Sequence, residues 1–171
     1  MESDHQTQLE THDRVAEYLE EFFESPFHDE DNGHFYVRYG STVLEIAVEP
    51  YGPEEAVVLI MAYCVQGAEL HENLLLGLLE VNHQLPFGAF SLVGQDIFFS
   101  HSLFARSLDP RTLLQAIDAV ATISDEYDGR IVARYGGQTA LERIRDTGGR
   151  KQRRRGGAAE EAGEEEEDGE V

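Results

Sequence analysis

Cysteine is almost absent from this chain. Cys64 stands alone, so no internal disulfide can form and a reducing compartment is compatible. No cationic neighbour or Cys-x-x-Cys context would lower its pKa, which makes it a core residue rather than a nucleophile. Long apolar runs are missing too. None is long enough to span a bilayer, and the polar, acidic N-terminus has no apolar signal core, so a soluble cytoplasmic protein without membrane contact is expected. Basic residues are scarce, at 13 against 34 acids, and only one of them is a lysine. No internal repeat is present.

The formal charge of −21 is unevenly spread. Arg150, Lys151, Arg153, Arg154 and Arg155 form a basic block, and residues 156–171 hold eight acids. Residues 1–149 therefore carry −18. A domain this acidic repels phosphate backbones and anionic lipid, which excludes nucleic acid as a natural partner and favours basic or amphipathic ones. The basic-then-acidic stretch 148–171 has too few apolar residues to offset the entropy of ordering and reads as a disordered, self-screened tail. With residues 1–8 taken as a flexible N-terminus, one α+β domain over 9–147 remains, large enough for a single core.

Thr7-Gln8-Leu9-Glu10 fits a capping box, followed by Val15, Tyr18, Leu19, Phe22 and Phe23 on one helical stripe that Ser25-Pro26 ends. Phe35, Val37 and Tyr39, then Leu44, Ile46 and Val48, alternate with polar or smaller residues as strands do. Residues 56–65 (AVVLIMAYCV) are apolar without alternation, as in a strand buried on both faces. A leucine-rich helix over 71–81 turns Leu74, Leu75, Leu78 and Leu79 inward and stops before Pro86. Residues 89–93 and 97–104 read as a hairpin around Gly94-Gln95-Asp96, and Asp109-Pro110 opens a long helix with an N-cap carboxylate. Residues 139–146 form one more short helix. The core order is α-β-β-β-α-β-β-α, with a five-stranded antiparallel sheet.

The strand at 56–65 raises the functional question. One face carries Val57, Leu59, Met61 and Tyr63; the other carries Val58, Ile60, Ala62 and Cys64. If all helices cover one side, the second row needs another cover. Each large side chain left uncovered forfeits roughly 1.5–3 kcal/mol, so a row of them matches much of a domain's net stability, about 5–15 kcal/mol. Val57, Leu59, Met61 and Tyr63 are therefore candidates for a dimer or partner face.

Catalytic and metal chemistry find no foothold. His28 and His34 flank an acidic turn, but the twelfth position from Asp29 is Gly40 where a calcium loop needs glutamate. His101 alternates with Ser100 and Ser102 on a strand, so those hydroxyls point away from it. Gly136-Gly137 lacks the lysine and hydroxyl of a phosphate loop. No enzyme activity, metal or cofactor is expected.

The run Asn82-His83-Gln84-Leu85-Pro86-Phe87-Gly88-Ala89, the strand end His101-Ser102-Leu103 and the helix start Leu108-Asp109-Pro110 resemble YbjN domains and the related type III secretion (Tir chaperone-like) chaperones. The resemblance covers about residues 14–135 and rests on Asn82, Pro86, Phe87, Gly88 and His101 as structural positions. It implies a non-enzymatic, homodimeric, chaperone-like module that captures extended segments of a partner protein. Phe22, Phe23, Phe35, Val37 and Tyr39 are then the expected peptide contacts. The alternative is a regulatory or stress-related adaptor working through transient contacts.

Overall fold

The computed structural model describes residues 2–40 and 42–146. The expected disordered tail at 148–171 lies outside them. Helix α1 (Glu2–Phe22) precedes strands β1 (Phe27–Asp29), β2 (His34–Tyr39), β3 (Thr42–Pro50) and β4 (Ala56–Gln66). Helix α2 (Glu72–Gln84) leads into the hairpin β5 (Ala89–Val93) and β6 (Asp96–Phe104), then α3 (Pro110–Tyr135), β7 (Gln138–Thr139) and α4 (Ala140–Asp146). The sheet order is β1-β2-β3-β4-β6-β5, with β7 on the end of β4, and every pairing is antiparallel.

Among the described residues the sheet thus has seven strands rather than five. Both extra strands are too short to show alternation: β1 pairs three residues with β2, and β7 pairs two with Val65 and Gln66. The start of the first helix also differs from expectation. Thr7 is inside α1, where its carbonyl accepts the Thr11 hydroxyl, rather than at its N-cap. A reciprocal capping box does form elsewhere: Thr139 N–H donates to Glu142, and Glu142 N–H donates to Thr139 Oγ at the head of α4. Asp109 caps α3 as expected, accepting from Thr112 N–H at 2.9 Å.

The core lies between one sheet face and the helices. Val15 and Leu19 of α1, Leu74 of α2, and Leu113, Ile117 and Val120 of α3 pack with Leu44, Ile46, Val58 and Ile60 in one buried cluster. Of the α2 leucines expected to turn inward, only Leu74 and Leu78 do; Leu75 and Leu79 are exposed. With leucine at five of six positions from 74 to 79, the pattern holds two stripes. The buried one runs 74-78-81-85, a regular i, i+4, i+7, i+11 track.

Candidate peptide-binding surface

Strand β4 settles the question of the second row. Val58, Ile60, Ala62 and Cys64 are fully buried towards the helices. Val57, Leu59, Met61 and Tyr63 are half-buried on the outer face, the one turned away from α1, α2 and α3. The register places Phe98, Ser100, Ser102 and Phe104 of β6 beside that row on one side, and Glu45, Ala47 and Glu49 of β3 on the other. Phe104 is 50% exposed and its ring meets that of Tyr51 at 5.6 Å. Tyr63 and Phe98 meet edge to face at 4.9 Å.

A carboxylate sits within this apolar strip. Glu45 is only 2% exposed, accepts the Tyr63 hydroxyl at 2.6 Å, and lies 2.6 Å from Nδ1 of His34. Nε2 of His34 is in turn 3.9 Å from Glu49. Burying a charge is costly unless it is hydrogen-bonded, and these two groups provide that. The buried Glu45 is thus taken up within the fold, and the carboxylate of this group open to a cation from outside is that of Glu49, half of whose side chain is exposed. In sequence Glu45 is one more acid on a strand's wet face; only the pairing with His34 and Tyr63, from two other strands, distinguishes it.

The aromatic contacts expected for a peptide divide differently. Phe35 and Val37 lie in the core at 4% and 2% exposure, because β2 turns them towards α1 rather than outward, so a client cannot reach their side chains. Tyr39 shares their face and is half-buried; its hydroxyl donates to Asp118 of α3 at 2.7 Å, and that hydrogen bond raises the phenol pKa. Phe23 packs edge to face on Tyr39 at 6.3 Å, and Phe22 is half-buried beside it at the end of α1. The structure brings Phe23 and Tyr39 together at the rim of the core, away from the outer strip, and shows no such contact for Phe22 among the described residues.

The junction residues have architectural roles. Asn82 clamps β5 to the end of α2: its Nδ2 donates to the Phe90 carbonyl at 3.1 Å, and its Oδ1 accepts the Phe90 N–H at 2.7 Å. Pro86 is exposed, Phe87 lies 5.2 Å from the His101 ring, and Gly88 takes a φ of +68°. A Cβ on Gly88 would come within 2.6 Å of Phe99 and 2.8 Å of the Ser100 carbonyl. Burial lowers the His101 pKa, and Phe87 is its ring neighbour. Among the described residues no three His, Cys, Asp or Glu side chains gather as a metal site, and no helix is long and apolar enough to cross a membrane.

A second exposed apolar patch was not foreseen. Leu75, Leu76 and Leu79 of α2 and Leu92 and Val93 of β5 are exposed. Among the described residues strand β5 ends the sheet and pairs only with β6. Leucine excess in α2 was the available signal, since more leucines than one stripe can bury leaves some outside.

An antiparallel sheet covered by helices on one side, with apolar and acidic side chains on the other, defines a protein-binding module. The chain belongs to the family described as T3SS (YopN, CesT) and YbjN peptide-binding chaperone 1, whose model matches residues 10–143. Two solved structures share its fold. A chain in the crystal structure of the ExsC–ExsE complex superposes with a TM-score of 0.57 at 12% identity, over 72% of this chain and 95% of that one. A chain in the HopA1–SchA chaperone–effector complex gives 0.58 at 11% identity, over 72% and 97%. No curated protein matches the chain.

Proposed function

We propose that this protein is a non-enzymatic cytoplasmic chaperone that holds an extended, basic amphipathic segment of a client protein against the outer face of its sheet. The observation that carries this reading is the position of α1, α2 and α3 on one face. It leaves Val57, Leu59, Met61, Tyr63 and Phe104 turned outward beside Glu45 and Glu49. An extended client presents alternate side chains to such a face, apolar ones to the β4 row and cationic ones to the exposed Glu49 carboxylate. The charge of −18 on residues 1–149 attracts the same client over a longer range.

The working form is a homodimer joined through α2 and β5. The exposed leucines and unpaired outer edge of β5 form one self-complementary surface, as a two-fold interface requires. The client row and the dimer surface are then separate. Fluorescence anisotropy of a labelled 14-residue peptide alternating leucine with arginine tests the client class. It is expected to bind, to weaken with salt, and to lose to the native chain any counterpart in which glutamate replaces arginine. Equal binding of the two peptides would sink the reading.

A further inference from the structure

We infer that the end of the outer face nearest the β3–β4 turn is a subsite for one arginine side chain of the client, formed by Glu49, Tyr51, Val57 and Phe104. This rests on the client surface proposed above. The register sets three of these residues side by side: Glu49 of β3 pairs with Val57 of β4, which pairs in turn with Phe104 of β6. Paired residues share a sheet face, so a carboxylate, an apolar floor and a ring follow one another at intervals of about 5 Å. Tyr51, just beyond β3, adds a second ring that meets Phe104 at 5.6 Å and 69°. Both rings are open to solvent, Tyr51 at 58% and Phe104 at 50%. A T-shaped pair uses one edge and one face, which leaves aromatic surface for a ligand. The Glu49 side chain is half exposed, and Nε2 of His34 stands 3.9 Å from it, beyond hydrogen-bond reach.

Open rings beside an open carboxylate favour arginine over lysine. A guanidinium is flat and weakly hydrated, so it stacks on a ring while its N–H fork reaches a carboxylate, spanning the Val57 position between them. An ammonium is a strongly hydrated point charge and gains less from the rings. Arg106, two positions after Phe104, is held by the buried Glu55. The subsite also sets the client's register. Leu59 and Met61 follow Val57 along β4 at steps of about 6.8 Å, the spacing of alternate residues in an extended client. Val57 is the first outward residue of β4, so the arginine belongs at one end of the client's apolar alternation.

Fluorescence anisotropy with the full chain tests this, using labelled seven-residue peptides in which three leucines alternate with serine and one terminal residue is basic. Arginine stands first in one peptide and last in another, and the tighter order is compared with its lysine and norleucine counterparts. The arginine peptide is expected to bind about five-fold tighter than the lysine peptide, and that ratio should fall to about one in a chain carrying Tyr51→Leu and Phe104→Leu. Norleucine-peptide binding and the melting temperature should hold in that chain. Glu49→Gln should weaken the arginine peptide towards the norleucine one. A ratio near one in the native chain, or one that survives the double substitution, overturns the subsite and leaves the client surface standing. Failure of the short peptides where the 14-residue leucine–arginine peptide binds does the same. Failure of both kinds of peptide overturns the subsite and the client surface together.

Discussion

Single residues in this fold show how much depends on backbone geometry at the α2–β5 junction. Asn82 satisfies both the N–H and the carbonyl of Phe90, so Asn82→Ala strands two backbone groups and is expected to cost about 1–3 kcal/mol in urea unfolding. Gly88→Ala is expected to cost about 1–3 kcal/mol for a side chain at positive φ, before the overlap with Ser100 and Phe99 is added. Cys64 is buried against Ser124, with its thiol pKa pushed up to about 12 by loss of solvent. It should resist a thiol reagent at pH 8 and react fully once the chain is unfolded. Asp128 is raised to about 6, first by burial and then by the charges of Asp125 and Glu142. Its ordinary value is 3.8, so the fold favours the protonated form and loses stability as pH rises from about 4 to 6. Asp128→Asn should therefore raise the melting temperature at pH 7, change it little at pH 4, and flatten the slope between. The motif Asn82, Pro86, Phe87 and Gly88 was legible as a set of turn residues. The collision Gly88 avoids and the carboxylate pair around His34 were not, because both depend on strands distant in sequence.

Among the elements, those with a clear period could be read directly. The stripe of α1, the Asp109-Pro110 start of α3 and the alternation in β3 each express one buried face, and each element is where that pattern places it. Elements without a usable period could not. Strands β1 and β7 are too short to alternate, and α2 has leucines on both its buried and exposed tracks. The apolar run of β4 was ambiguous for another reason: a half-covered outer row and a buried inner row look alike in sequence. The exposed side of α2 carries its own prediction. Leu76→Lys with Leu79→Lys removes apolar surface that the fold does not bury, so unfolding free energy should change by under about 0.5 kcal/mol. On the proposed α2–β5 interface, light scattering coupled to size exclusion should show a dimer for the native chain and a monomer for the double variant. A native chain that is already monomeric would contradict the assignment of this surface.

At the scale of the whole molecule, the protein keeps three apolar regions apart in space. Its core lies between the helices and the inner sheet face, the exposed leucines of α2 flank one sheet edge, and the apolar strip with its carboxylates faces outward. Fold class and the need for a partner could be argued from the sequence, since a two-sided apolar strand with few helices implies cover. The row named for that cover, Val57, Leu59, Met61 and Tyr63, is the half-buried one, although which side α1 and α3 pack on is fixed by tertiary contacts that alternation does not carry. The central claim is that the client lies along the outer β4 row. Isothermal titration of the leucine–arginine peptide into Leu59→Lys, beside the native chain, tests it most directly. A lysine in the middle of the row both removes apolar contact and repels a basic segment, so affinity should fall at least about ten-fold, the equivalent of 1.4 kcal/mol, with the melting temperature little changed. Peptide binding to Leu59→Lys that equals the native chain's would contradict the account.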